Sequence, residues 1–257
     1  MDATRIAILL VAGAVAGIMN SIAGGGTIVT FPSLILAGLT SVAANATSTV
    51  ALLPGTLSSF AAYRRKVSSV LRWLRLFAPV SLTGGLIGGI LLVQTPASVF
   101  DRFVPFLILF ATILFMANSF VGRLFNSRHV QKGTMPSRRW IVGAVAFQFG
   151  VAVYGGYFGA GIGILMLASL GMLGFEDVHE MNTVKVVLGF MINIVAAAYF
   201  IVSGLIGWTE AGIMAAGTIA GGFLGAHYAQ KVKQSTVRRL ITAIGLGISA
   251  YMFYKQA

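Results

Sequence analysis

Two glycine-rich clusters, each followed by a short apolar stretch, are the part of this chain best suited to bind a ligand in apolar surroundings. They read Asn20-Ser21-Ile22-Ala23-Gly24-Gly25-Gly26-Thr27 and Gly155-Gly156-Tyr157-Phe158-Gly159-Ala160-Gly161-Ile162-Gly163. Glycines close together break a helix and let a ligand approach the backbone. A helix that begins after the break points its free N–H groups and positive dipole end at the gap, which favours an anion. Close helix packing is the alternative interpretation.

A second polar constellation follows each cluster. It reads Asn45-Ala46-Thr47-Ser48-Thr49 in the first half of the chain and Met181-Asn182-Thr183-Val184-Lys185 in the second. Hydroxyl and amide side chains near the start of a helix are often ordinary caps. That interpretation stays open for Asn45 and Asn182, while the hydroxyls of Thr47, Ser48 and Thr183 are candidate ligands.

Lys185 is the most informative charged residue. It lies about five residues, or roughly 8 Å of helix rise, inside the apolar stretch that follows Glu180. A lysine at that depth is costly in a membrane and is a functional candidate by default. Snorkelling to the interface, or pairing with Glu180 or Glu176, are the alternatives. Asn193 follows at i+8 and therefore lies on nearly the same helix face.

The residues that the apolar stretches lack are equally informative. All acidic residues lie near the ends of these stretches: Asp2, Asp101, Glu176, Asp177, Glu180 and Glu210. A cation site or a carboxylate proton relay within the membrane is therefore not expected. The chain has no cysteine, and its three histidines form no metal-spaced pair. We expect no metal, no cofactor and no enzyme active site, and the polar set favours an anion.

Composition requires a membrane around these residues. The chain has 257 residues, of which 57% are hydrophobic and 9% charged, with a mean hydropathy of +0.90. A soluble domain carries about 25% charged residues, so the lipid bilayer must cover most of this surface. The net charge of +12 comes from basic residues in loops between apolar stretches. The positive-inside rule explains that placement, and nucleic-acid binding is not expected.

The apolar stretches predict ten membrane segments: 5–23, 27–39, 42–63, 73–94 and 99–121, then 140–158, 160–175, 178–203, 208–230 and 237–254. A full crossing needs about 20 residues. The segments 27–39 and 160–175 are shorter and follow the glycine clusters. We expect them to be half-length or re-entrant, which a membrane tolerates only inside protein or beside a cavity.

The chain contains the same segment twice. Residues 24–89 match residues 160–225 without a gap, at an offset of 136 residues, and the unusual residues match as well as the common ones. A doubled apolar chain is typical of secondary transporters that bind substrate between their halves. The predicted division is an N-terminal repeat over 1–121, a basic linker over 122–139 and a C-terminal repeat over 140–257.

Loop charge predicts that the second repeat is inverted. The basic loop 64–66 aligns with uncharged residues 200–202, and the basic stretch 231–239 aligns with 95–103, which holds only Arg102. We expect the basic loops in the cytoplasm and both termini outside. The predicted fold is an all-α polytopic membrane protein of two inverted-topology repeats, with broken or re-entrant helices at the glycine-rich segments.

These motifs together resemble the TauE/SafE family of sulfite exporters. The resemblance covers nearly the whole chain and rests on four stretches: the glycine run with Pro32, the segment Gly38–Ser48, the second glycine-rich segment, and His179-Glu180-Met181-Asn182-Thr183-Val184-Lys185. It implies a bacterial inner-membrane permease that exports sulfite or a small organosulfonate.

The residues and the resemblance lead to one hypothesis. Backbone N–H groups of Gly24–Thr27 and Gly159–Gly163, with the polar constellations, bind a small anion whose charge Lys185 offsets. The two repeats then expose it alternately to either side. An anion channel, a permease for a different small solute, and a membrane scaffold are the rivals. The exact anion, the coupling ion and a homo-oligomeric state stay open.

Overall fold

The computed structural model describes residues 2–22, 25–126, 138–173, 175, 178–228 and 234–256. Within these ranges the chain forms ten α-helices: α1 (Ala3–Ile22), α2 (Thr27–Leu36), α3 (Ser41–Tyr63), α4 (Leu71–Gln94), α5 (Ala97–Asn126), α6 (Arg138–Tyr157), α7 (Ile162–Met172), α8 (Val178–Val202), α9 (Trp208–Tyr228) and α10 (Gln234–Gln256). A 3-10 helix over Arg64–Val70 joins α3 to α4. The described ranges hold no strand, so the predicted all-α fold is confirmed.

The chain is a multi-pass membrane protein. Among the residues that the structure describes, five helical stretches are long and apolar enough to cross a bilayer: Ala3–Asn20, Val67–Gln94, Ala97–Ala117, Arg138–Tyr157 and Glu180–Val202. Large apolar side chains on the outside of the bundle are highly exposed, as with Val11 (62%) and Phe223 (73%). Such a surface is stable in lipid rather than in water, because exposing apolar surface to water costs about 25 cal/mol per Å².

Helices α2 and α7 are short, as the sequence predicts. They contain 10 and 11 residues, or about 15 Å of rise against a hydrocarbon core of about 30 Å. Each follows a break at glycines with positive φ: Gly25 at +89°, Gly159 at +81° and Gly161 at +79°. Only glycine adopts this backbone readily, so the glycine clusters do end the preceding helices. That α2 and α7 are re-entrant stays a prediction.

The predicted linker 122–139 is partly helical. Its first residues continue α5 to Asn126, and its last two begin α6 at Arg138. Residues 127–137 lie outside the described ranges. The helices therefore take up more of this polar stretch than its composition predicts, because helical hydrogen bonding continues after the apolar run ends.

Helices from the two halves interleave. Helix α1 packs along α9, and α4 packs along both α6 and α8. Glycines make the contacts close: a Cβ on Gly17 would lie 2.4 Å from the Thr218 carbonyl oxygen, and one on Gly88 would lie 2.1 Å from that of Val153. Small residues let membrane helices approach to backbone contact. The glycines on these faces therefore serve packing.

The same contacts give helix directions. Gly85 packs at Ile192 and Gly89 at Ala196, so α4 and α8 run parallel. Gly84 packs at Phe149 and Gly88 at Val153, so α4 and α6 are parallel as well.

Helices α5 and α10 occupy corresponding places in the two halves, and they run in opposite directions. The Phe106 and Phe253 rings meet with centroids 4.9 Å apart. Further along α5, Thr112 contacts Gly245. Along the contact, residue numbers increase in α5 and decrease in α10, so the two helices are antiparallel.

Candidate functional site

The two glycine breaks open on one cavity of about 90 Å³ between α2, α3, α7 and α8. The first half of the chain lines it with Asn20, Gly25, Thr27, Thr49, Leu52 and Thr56. The second half lines it with Gly159, Ile162, Gly163, Lys185, Val186, Gly189, Phe190 and Asn193. A water takes up about 30 Å³, so the cavity suits a few waters or a small solute.

Equivalent positions of the two repeated segments meet at this cavity. We call residues paired by the 136-residue offset repeat mates. Thr27 and Gly163 are repeat mates, as are Thr49 and Lys185, and all four line the cavity. The cavity therefore lies where the two copies of the repeated segment face each other.

Lys185 is the one charged side chain among the described cavity residues. It is half-buried on α8 and forms no ion pair or hydrogen bond with any described residue. The alternative that it pairs with Glu180 is therefore wrong, and Glu176 lies outside the described ranges. An unpaired ammonium within an apolar span is costly, which favours a negative ligand beside it.

Other polar groups in the cavity differ in what they offer. Asn193 is half-buried, and its amide has no hydrogen-bond partner in the described part of the chain. The hydroxyls of Thr49 and Thr56 donate to the Asn45 and Leu53 carbonyl oxygens of their own helix, at 3.0 and 2.8 Å. The threonines thus present lone pairs, and donors must come from Lys185, Asn193 and the backbone.

Backbone donors are present at both helix starts. The N–H groups of Thr27 and Gly163 belong to the first turns of α2 and α7 and have no partner among the described residues. The first N–H groups of a helix are free by construction and stabilise anions. The Gly26 N–H is already used, because it donates to Asn20 Oδ1 at 2.9 Å.

Three predicted ligands lie on α3 but away from the cavity. The Asn45 amide donates to the Tyr157 carbonyl oxygen at 2.8 Å. The Thr47 hydroxyl accepts from the Gly207 N–H at 3.0 Å. Ser48 shares a 2.6 Å hydrogen bond with Thr30. These three side chains connect α3 to α6, to the loop before α9 and to α2, and the structure does not bring them to the cavity.

The remaining predicted residues divide as follows. Gly161 packs against Leu114 and Ala111 of α5. Asn182 is half-buried and Thr183 fully buried, both outside the cavity. Gly24 and the side chain of Ser21 lie outside the described part of the chain. The predicted residues that do meet at the cavity are Asn20, Gly25, Thr27, Gly159, Gly163, Lys185 and Asn193. That they bind a ligand stays a prediction.

Several cavity residues were not selected from the sequence. The repeat and helical spacing could have identified some of them. Thr49 is the repeat mate of Lys185. Thr56 follows Thr49 by two turns, and Gly189 lies at i+4 between Lys185 and Asn193. Leu52, Ile162, Val186 and Phe190 carry no such signal, because apolar residues are common throughout the chain.

An aromatic cluster adjoins the cavity. Phe31 lies one turn after Thr27, and its ring meets those of Phe158 at 5.6 Å and Phe100 at 6.4 Å. Phe100 also meets Tyr157 at 5.6 Å. All three phenylalanines are buried. We call Phe31, Phe100, Tyr157 and Phe158 the aromatic cluster.

This cluster reaches the loop between α4 and α5, where the Tyr157 hydroxyl donates to Thr95 Oγ1 at 3.4 Å. The aromatic cluster therefore extends from residues that neighbour Thr27 and Gly159 in the chain to that loop.

Comparisons with known proteins agree over nearly the full length. A family model described as Sulfite exporter TauE/SafE matches residues 9–252. A probable membrane transporter protein of Haemophilus influenzae is 29% identical over 252 residues, covering 98% of this chain and 95% of its own. The probable membrane transporter protein YfcA of Escherichia coli K12 is 27% identical over 251 residues, covering 97% and 90%. No solved structure matches the chain.

Proposed function

Because the chain belongs to the TauE/SafE family of sulfite exporters, we propose that it is a secondary transporter that exports sulfite or a small organosulfonate. The family resemblance predicted from the sequence is confirmed. The relatives are named as probable membrane transporters, so the broader prediction of a membrane transporter is confirmed as well. The substrate and the mechanism below are our proposal.

One observation carries the proposal. The cavity where repeat mates meet holds an unpaired Lys185 and no described carboxylate. A half-buried cation without a partner favours an anion, since an uncompensated charge within an apolar span is costly. The N–H groups of Thr27 and Gly163 and the amide of Asn193 add donors. A sulfite or sulfonate group, with three oxygens on one sulfur, fits such convergent donors.

We propose that the two halves are inverted repeats and that the substrate crosses by alternating access. The antiparallel α5 and α10 support inversion, because corresponding helices of inverted repeats run in opposite directions. The contact pattern supports a two-fold relation between the halves, since α4 packs on α6 and α8 while α9 packs on α1 and α3. Helices α4, α6 and α8 correspond to α9, α1 and α3 in the other half, so the two sets of contacts are equivalent.

We assign the aromatic cluster as the barrier on the outer side of the cavity. The loops at 95–96 and 203–207 carry no Lys or Arg, so the positive-inside rule puts them outside. Tyr157 contacts the first of these loops. The proposed orientation is a bacterial inner membrane with basic loops in the cytoplasm and both termini outside.

Export of this kind needs no pump. With the inside negative, each exported negative charge gains about 2.3 kcal/mol per 100 mV. A divalent anion is then driven outward about a thousandfold at that potential. Uniport suffices, although a coupling ion is compatible with the same cavity.

Sulfite flux in proteoliposomes with a set membrane potential tests the proposal. We expect saturable, potential-sensitive flux, with taurine, other sulfonates, sulfate and thiosulfate as competitors. Accelerated exchange when sulfite is present on both sides would support a transporter over an anion channel. Transport of a competitor instead of sulfite would replace the substrate. No flux of any anion would reject the proposed function.

A further inference from the structure

A second cavity lies on the outside of the bundle. It has a volume of about 220 Å³ and is lined by Trp140, Gly143, Ala144 and Phe147 of α6 and by Ser169 and Leu173 of α7. The α6 residues follow a helical stripe over about 10 Å. Trp140 is 52% exposed and Phe147 is 45% exposed. This α6–α7 groove is therefore an apolar crevice that opens towards lipid.

Basic residues stand at one end of the α6–α7 groove. Arg138 and Arg139 are exposed at the start of the membrane span Arg138–Tyr157. Arg139 precedes Gly143 by four residues and so lies on the same helix face. Neither arginine pairs with a carboxylate of the described residues. Trp140 beside them is the type of residue that marks a membrane–water interface.

The corresponding place in the first half is different. The repeat mate of Leu173 is Ala37, at the end of α2. Its carbonyl oxygen accepts a 3.4 Å hydrogen bond from the Arg5 guanidinium of α1. There the basic side chain already bridges the helix pair, whereas the arginines of α6 are available to a ligand.

We propose that the α6–α7 groove binds an anionic phospholipid, with an acyl chain along the groove and the phosphate on Arg138 and Arg139. The apolar lining of the groove suits an acyl chain. Guanidinium groups bind phosphate through paired hydrogen bonds. Basic residues beside an apolar crevice at the membrane surface are the chemistry that recognises anionic headgroups. The bound lipid would lie against α7, whose first turn lines the transport cavity.

Quenching of Trp140 fluorescence tests this proposal. The full chain with Trp73→Phe and Trp208→Phe leaves one tryptophan, at the groove. We would reconstitute it in vesicles that contain brominated phosphatidylglycerol or brominated phosphatidylcholine at the same mole fraction. We expect a preference for phosphatidylglycerol on the order of tenfold, from two arginines at the surface.

Charge variants separate the groove from general attraction to a basic protein. Arg138→Gln with Arg139→Gln should abolish the preference. Arg72→Gln with Arg75→Gln is the matched control, because these exposed arginines begin α4, which runs parallel to α6. That control removes the same charge at the same membrane face and should keep the preference.

Filling variants test the groove itself. An added Cβ meets nothing within 4 Å at either Gly143 or Gly150, so the backbone at both positions accepts a side chain. Gly143→Leu should remove the preference, and Gly150→Leu, outside the groove on the same helix, should not. Equal quenching by both lipids in the unmodified groove would overturn the proposal. So would weak quenching by either lipid, which would mean that the chain itself covers the groove.

Discussion

At the scale of single residues, the site depends on which polar groups are already used. Asn45 and Asn193 look alike in the sequence, yet Asn45 donates to the Tyr157 carbonyl while Asn193 faces the cavity. The Asn45 side chain therefore holds α3 against the end of α6, whereas the Asn193 amide stays free at the cavity.

Lys185→Ala should greatly reduce anion flux at low substrate concentration. A hydrogen bond to a charged group contributes about 1.5–3 kcal/mol, so the affinity should fall on the order of tenfold to hundredfold. Flux in proteoliposomes at matched protein content measures this. Thr49→Val is the control, because the Thr49 hydroxyl donates to its own helix, and it should transport nearly normally. Normal flux in the Lys185 variant would remove this residue from the mechanism.

Asn45→Ala should destabilise the fold, and Asn193→Ala should not. The first change leaves the partly buried Tyr157 carbonyl without this donor, which costs about 1 kcal/mol. The second leaves no described partner unsatisfied and should weaken transport instead. Both variants are measured by thermal unfolding and by flux. Asn45→Ala should show the loss of stability, and Asn193→Ala should show the loss of transport. The same pattern in both variants would contradict the division of roles.

At the scale of the elements, the glycine breaks before α2 and α7 position the site. Gly25 and Gly161 are repeat mates, and both have positive φ. The breaks end α1 and α6 and turn the chain so that α2 and α7 begin beside the same cavity. The local backbone thus brings the two helix starts to one cavity.

Gly25→Ala should lower stability by more than about 2 kcal/mol. A positive φ costs a residue with a side chain about 1–3 kcal/mol, and the new Cβ would lie 2.1 Å from Phe115 Cζ. Gly150→Ala is the control, since its Cβ meets nothing within 4 Å. Urea or thermal unfolding in detergent would show the difference. Equal stability of the two variants would mean that the break is not held as described.

The charge of the site should be transferable between α3 and α8. Thr49 and Lys185 are repeat mates on the same cavity, so a lysine at either place would face the same solute. Lys185→Thr should lose flux, and adding Thr49→Lys should recover part of it. If the double variant transports no better than the single one, the cavity lacks the two-fold relation that we propose.

At the scale of the whole molecule, alternating access requires some contacts between distant segments to open. Thr47 of the first half accepts a hydrogen bond from Gly207 of the second. The chain has no native cysteine, so Thr47→Cys with Gly207→Cys introduces one pair. Oxidation should stop flux and reduction should restore it, whereas each single variant should be insensitive. Unchanged flux after complete oxidation would show that this contact stays closed during transport.

Much of the fold could be predicted from the sequence. Apolar runs and glycine clusters give the helices and their breaks, because both act locally along the chain. The site was predicted only in part: Lys185 and Asn193 were found by depth and helical spacing. The sequence also predicts Asn45, Thr47 and Ser48 as ligands, but their side chains bond to α6, to the loop before α9 and to α2. Which neighbour satisfies a polar group depends on packing between distant segments, and spacing along one helix carries no information on that.

The close contacts of α1 with α9 and of α4 with α6 bear on which parts of the protein can move. At Gly17 and Gly88 the backbones touch with no room for a methyl group, so these pairs resist sliding. Each pair takes one helix from each half of the chain. The rigid bodies of a transport cycle would then be mixed units, and the hinge would fall within each half, at the glycine breaks, rather than at the linker between them.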